Sequence, residues 1–485
     1  MLDLRHLDPR RLDPRRLDPR RLDPRRLDPR RLDPRRLDPR RLDLENDALP
    51  TSPRFWRSPL RGPWLTSLLG VVLLGGITLV FVTGLLSYAA YNPNLLRGVN
   101  DQTPDKGLLG FYLFSWPTHP HWLYRLTQGV HVTLGIVLIP VVLAKLWSVV
   151  PKLFELPPAR SIGHALERVS LLLLVGGILF ELVTGVLNVQ LDYLFPGSFY
   201  PLHFYGAWVF FAAFVLHVVL RAPQAVRVLR DGGWRSAAAG PATRRVAAEA
   251  EGLTSPRPAA ATLGRRGALG LVGAGSLALL VVTAGQSIGG SLRRVALLAP
   301  HGWSSPDSGL NRGANSFQIN KTAASIAIDS RETGEAWRLV VKGPGGVVRL
   351  DREALLRMPQ HTAALPIACV EGWSTDDQHW SGVRLRDLAA LVGYASEADY
   401  TDRGGVRGGA RPAPDVFVES LQRGGAFRKA ALRANQVRDP RSLLALHVNG
   451  ADLSPDHGFP ARVIVPAAPG VLNTKWVASM TFGDL

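Results

Sequence analysis

The 485 residues carry a formal net charge of +18, are 46 % apolar and include one cysteine. A single thiol excludes an intramolecular disulfide framework, and the length asks for two or three domains. The basic excess concentrates in the first 45 residues and between Arg221 and Arg266. Neither stretch sets its cations among aromatic residues on a folded face, so the expected partner is membrane lipid and not nucleic acid.

The chain opens on LDPRR, repeated seven times from Leu7 to Arg41. A proline every fifth residue removes a helix donor and restricts the residue before it, so residues 1–60 read as a disordered basic arm. Five apolar runs follow, at about 64–88, 126–144, 169–189, 204–220 and 267–285. Each approaches the ~20 residues that cross a bilayer as a helix, although the fourth must borrow a turn from its flanks. Lys145, Lys152, Arg160 and Arg168 lie between the second and third runs, and nine arginines lie between the fourth and fifth. The positive-inside rule then puts the N-terminus in the cytoplasm of a multi-pass plasma-membrane protein and everything after about residue 290 outside.

Residues 61–222 are expected to form a four-helix membrane domain and 223–262, rich in Ala, Arg, Gly and Pro, a cytoplasmic linker. The fifth span, 263–290, follows Arg265 and Arg266, a pair that reads either as a positive-inside flank or as a twin-arginine export signal. From 300 to 485 the composition is that of a soluble domain. Short β-rich runs (WRLVV at 337–341, VFVES at 416–420, LLALHV at 443–448, RVIVP at 462–466) alternate with brief helical patterns after Asp351 and Val383, predicting an α+β fold.

Four histidines, His131, His164, His203 and His217, lie in or beside spans two to four. Ionisable groups at membrane depth are costly and face a cofactor, a cavity or each other. His203 and His217 are fourteen residues apart, about 21 Å along a helix and close to one face, a spacing that suits one ligand to each of two stacked haems. Depth pairs His131 with His203 on the outer side and His164 with His217 on the inner; a single haem between His131 and His217 is the alternative. LTQGVHVTLG and LHFYGAWVFFAAFVLHVVLR resemble segments of bacterial membrane cytochromes b, which implies one or two haems b and exchange with quinone or quinol. Glu181, alone in span three, reads either as part of a proton path or as a hydrogen-bonding group between helices.

The lone Cys369, after an apolar stretch and before Gly372, is placed at a strand end or in a loop over a cleft. Its own chemistry leaves open a buried small residue, a nucleophile or a ligand to a soft metal. His361 and His379 do not make a zinc pattern with it. CVEGWSTDDQHWSGVRLRDL (369–388) and VNGADLSPDHGFPARVIVPAAPGVLNTKWV (448–477) resemble, in that order, the molybdenum-cofactor domain of the sulfite oxidase superfamily. The resemblance implies that Cys369 is the catalytic protein ligand to molybdenum, and that the second segment grips the pterin and its phosphate. His457, Gly458, Arg462, Asn473, Thr474 and Lys475 offer donors there, and Asn311, Arg312, Asn320 and Lys321 are placed where the family wraps its N-terminal strand over the cofactor. Ser420 is a further candidate, and Arg312, Trp373 and His379 are candidates for a substrate funnel.

The chain departs from sulfite oxidases in carrying Glu371 to Ser374 where a basic pair usually follows the cysteine. The matched segment also closes near Leu485, where those enzymes continue into an immunoglobulin-like domain. Both features resemble the short bacterial branch that contains protein-methionine-sulfoxide reductases. The implied enzyme uses a molybdopterin-type cofactor and haem b to reduce an S- or N-oxide such as a sulfoxide. Oxidation of sulfite or a related sulfur donor, with electrons passed to quinone, is the alternative. A haem relay with a cofactor-free outer module and a cysteine hydrolase are the readings from other classes.

Overall fold

The computed structural model describes residues 49–52, 55–91, 114–155, 161–189, 199–230, 253–255, 258–298, 313–401, 405–407, 409–424 and 428–483. The LDPRR repeats, most of the linker, Asn311 and Arg312 lie outside the described residues.

Helix α1 (Pro63–Tyr91) is uncharged throughout and begins on proline, whose missing N–H costs nothing in a first turn. The second run divides into α2 (Leu123–Val137) and α3 (Ile139–Val149), parted at Leu138 just before Pro140. Helix α4 (Ile162–Asn188) starts at Ser161, whose hydroxyl accepts from the His164 amide, and α5 (Tyr200–Val228) supplies the turns that the fourth run lacked. Helix α5 continues past Pro223 into the segment expected as linker; the good helix formers around 224–228 carry it on. Helix α6 (Arg265–Val281) leads into the one-turn α7 (Gly285–Ile288).

Among the described residues, five helical stretches are thus long and apolar enough to cross a membrane, with α2 and α3 together making one of them. Helix α1 packs on α2 and α5, and α4 on α5 and α2, so α2 and α5 face each other across a four-helix square with α6 laid against α2 and α3. Leu65, Leu69, Leu73 and Ile77, at helical spacing on α1, meet Leu138, Val142, Phe210 and Phe214 inside. The outer faces are also apolar: Leu172 is 64 % exposed and Leu271 70 %. Such faces match a hydrocarbon surround and not water.

The second unit is α+β. One sheet runs β2 (Gly346–Leu350), β1 (Leu339–Gly343), β10 (Val477–Phe482), β5 (Val416–Ser420), β6 (Lys429–Leu432), with β1 and β10 parallel. The other runs β3 (His361–Leu365), β4 (Gln378–Arg384), β7 (Leu443–Val448), β8 (Ala451–Asp452), and β9 (Arg462–Ile464) also pairs with β7. All four predicted β runs become strands. The two helical patterns become α8 (Arg352–Arg357), capped by the Asp351 side chain, and α9 (Leu385–Ala390). Leu339, Val341, Leu388, Val418, Leu444, Val463 and Met480 form one core between the sheets.

Candidate active site

Strand β3 ends at Leu365, and the chain then folds back on itself: Thr375 N donates to Ile367 O (2.8 Å) and Cys369 N to Trp373 O (2.8 Å). Within this loop Gly372 N donates to Cys369 O (3.1 Å), closing a turn that Gly372 completes at φ +96°. Gly470 N donates to Ala368 O (2.6 Å) and ties the loop to the segment before Asn473. Cys369 is 2 % exposed, and its thiol donates to Glu371 Oε2 (3.1 Å), which also accepts from Trp373 Nε1 (2.7 Å). Burial, then the Glu371 carboxylate, push the thiol well above its ordinary range. A protonated thiol bonded to a carboxylate is a poor nucleophile, which argues against the hydrolase reading; a bound metal would remove the proton outright.

The thiol borders a cavity of about 550 Å³, open mouth included. Of the residues expected at the cofactor, Asn320, Lys321, His457, Arg462, Asn473, Thr474 and Lys475 all line it. Arg462 is held by donating Nη1 to His457 O (3.1 Å) and Nη2 to Asn473 O (3.2 Å). Lys475 Nζ donates to Lys321 O (2.5 Å) and Asp456 O (3.0 Å). Burial, with Arg462 beside it, drives Lys475 well below its ordinary value, and burial lowers Arg462 to about 9. Among the described residues, Arg462 Nε, Asn473 Nδ2 and Thr474 Oγ1 are buried without a hydrogen-bond partner. Orphaned donors and crowded cations around one cavity are costly in a protein closed on itself, and an anionic group rich in acceptors relieves both. These residues fit a molybdopterin-type cofactor reaching from the cations to the thiol.

Two expected contacts need correction. Gly458 was to offer a free backbone amide, but its N–H donates to Pro455 O (3.2 Å) inside the turn. Its service is conformational: φ is +106°, and a Cβ there would stand 2.9 Å from Lys475 Cβ. Ser420 does not line the cavity; its hydroxyl donates to Lys475 O (2.7 Å) and accepts from Gln422 N (3.1 Å), fixing the backbone beneath the lysine. Trp373 lines the cavity at 2 % exposure, while His379, on β4, is not among the lining residues. Sequence reasoning missed Gln318 and Gln422, which also line the cavity, and the bond from Glu371 to the thiol. Replacing Gly458 with valine is expected to lower the molybdenum retained per chain several-fold, since left-handed strain of about 1–3 kcal/mol adds to the clash with Lys475. Metal analysis of the purified variant measures it.

The helix bundle meets this loop directly. Gln128 on α2 donates to Val370 O, Ser287 Oγ to Gly372 O (2.6 Å), and Ser374 N to Gln286 O (3.0 Å). Trp116, in the segment before α2, donates Nε1 to Ala467 O (2.7 Å). A Cβ at Gly372 would stand 2.8 Å from Val132, the neighbour of His131. At this end of the bundle His131 on α2 and His203 on α5 face each other, ring centres 6.2 Å apart and planes at 84°. His131 Nδ1 is bonded to Val80 O (2.9 Å) and His203 Nδ1 to Thr184 Oγ1 (3.0 Å) and Glu181 Oε2 (3.0 Å). With each Nδ1 engaged, Nε2 is the nitrogen left for a metal. A metal bonded at about 2 Å to both rings holds their centres about 6 Å apart. Gly84 and Gly185 admit the rings: a Cβ would stand 2.9 Å from His131 Cε1 and 3.3 Å from His203 Cε1. The two imidazoles would suit a pair of ligands to one haem. His164 lies on the first turn of α4 and His217 on α5, both half-buried.

Residues 325–484 match the family described as oxidoreductase molybdopterin binding domain. Sulfite oxidase of Arabidopsis thaliana is 36 % identical over 105 residues, covering 21 % of this chain and 25 % of that protein. "Uncharacterized oxidoreductase YuiH" of Bacillus subtilis is 30 % identical over 149 residues (30 % and 65 %), and sulfite oxidase of Gallus gallus 30 % over 166 residues (29 % and 34 %). The match thus spans from a quarter to just under two thirds of these relatives' lengths. The second unit is a molybdopterin-binding oxidoreductase domain. The match supports a molybdenum oxidoreductase of the sulfite-oxidase type in this unit.

Proposed function

We propose that this chain is a multi-pass plasma-membrane oxidoreductase in which electrons from quinol cross a haem b bundle to an extracytoplasmic molybdenum site that reduces an S- or N-oxide such as a sulfoxide. The observation that carries the reading is the junction: one turn along α2 from His131, Gln128 donates to Val370 O, the residue next to Cys369. A route from one proposed metal ligand to the other therefore needs no docking of a separate partner.

Bound haem supplies one-electron steps and bound molybdenum a two-electron oxygen-atom transfer. Cys369 holds the metal; Arg462, Lys475, Asn473 and Thr474 hold the anionic cofactor; Trp373 and the bundle keep water from the thiol side. His131 and His203 are the ligands of the haem nearer the molybdenum domain, and His164 with His217 are assigned to a second, on the cytoplasmic side. The overall reaction joins two electrons and two protons to the sulfoxide oxygen, releasing thioether and water. Arginine-rich connections favour a cytoplasmic N-terminus.

The names of two relatives favour a second reading, sulfite oxidation with electrons passed to quinone. One experiment separates them. Haem in the purified chain is reduced with a short-chain quinol and its α band followed: oxidation of the band on adding a dialkyl sulfoxide supports the first reading. Reduction of oxidised haem on adding sulfite, with no response to sulfoxides or N-oxides, replaces it with the second.

A further inference from the structure

The two histidines at the junction differ in what stands behind them. His131 Nδ1 faces a neutral carbonyl, Val80 O at 2.9 Å, with the Thr83 hydroxyl at 3.4 Å. His203 Nδ1 faces a carboxylate: Glu181 Oε2 is at 3.0 Å, beside the Thr184 hydroxyl. Glu181 is 8 % exposed and sits on α4, while the histidine is on α5. The contact is possible because residue 206 is glycine. A Cβ there would stand 2.3 Å from Glu181 Oε1 and 2.7 Å from the Phe180 ring, so a larger residue there crowds the carboxylate that bonds His203. A carboxyl group at this depth is expensive, and here it is spent on a single imidazole.

From this geometry we infer that Glu181 is a positioning residue that sets the reduction potential of the haem nearer the molybdenum domain. The inference rests on the haem reading above. A carboxylate accepting the Nδ1 proton fixes the ring's tautomer and makes Nε2 a stronger donor, which favours ferric over ferrous iron. Thr184, whose hydroxyl donates to Phe180 O (2.8 Å), keeps a lone pair toward the same Nδ1 and holds the ring in register with the carboxylate. The result is a haem with one neutral and one electron-rich axial ligand, a stronger reductant toward the site beyond Val370.

The test is a redox titration of the full-length chain in detergent, with haem per chain counted by pyridine haemochrome in each sample. In Glu181→Gln the haem content is expected to hold, while the ferrous form gains at least tenfold over the ferric, an upward shift of about 59 mV or more for one electron. Glu181→Asp is expected to recover part of that shift, which a merely structural role would not. Full haem content with an unmoved potential overturns the inference and leaves the haem reading intact. Absence of haem from the unaltered chain overturns both. Should Glu181→Gln fail to bind haem, Gly206→Ala keeps the carboxylate but displaces it; an upward shift there supports the inference, and an unchanged potential overturns it.

Discussion

Cys369→Ser is expected to abolish oxygen-atom transfer, to less than about one hundredth of the original rate, while the haem spectrum and the fold survive. The loss should exceed the 10–100-fold typical of residues that only support a metal ligand, because on the proposed reading the ligand itself is removed. Serine is close to isosteric with cysteine, its hydroxyl can donate to Glu371 as the thiol does at 3.1 Å, and the loop is held by backbone bonds that the change does not touch. The checks are turnover with a soluble dye donor, which bypasses the haem, and molybdenum per chain. Undiminished dye-driven turnover would mean that Cys369 is not the catalytic ligand.

His203→Ala tests the other half of the path and should separate it cleanly. The haem between α2 and α5 is expected to be lost and quinol-driven turnover to fall at least about tenfold. Molybdenum content and dye-driven turnover should remain, since His203 belongs to the bundle and the described residues that line the cofactor cavity all come from the second domain. The haemochrome assay and the two donor assays on one preparation decide it. Equal losses with both donors would assign His203 a structural role in seating the domain.

What was legible in the sequence follows from where the information lies. Apolar runs are written in local composition, and among the described residues all five appear as helical stretches long enough to cross a membrane, longer than their apolar cores because flanking turns such as Tyr200–His203 add to them. Depth in the sequence set His131 and His203 at one level, and the structure brings their rings to 6.2 Å. Cys369 and the Asn473–Lys475 segment stood in two contiguous motifs. The rest depends on contacts between distant residues. Nothing local tells that Gln128 reaches Val370, 242 residues away, or that Gln318 and Gln422 arrive at one cavity from different elements. Gly458 and Ser420 were legible as residue types and misread in role, because the partner of each, Lys475, is brought up only by the tertiary fold. Glu181 offered two roles in sequence; the close approach at Gly206 selects the bond to His203.

The central claim is that molybdenum and haem share one polypeptide and one electron path. The most direct test is metal mass spectrometry and a pyridine haemochrome spectrum on the same detergent-purified chain, produced in a host that makes the molybdenum cofactor. The account predicts about one molybdenum and one or two haems b per chain. Haem without molybdenum would contradict it and leave a cytochrome whose outer domain serves another purpose; molybdenum without haem would contradict the path from quinol.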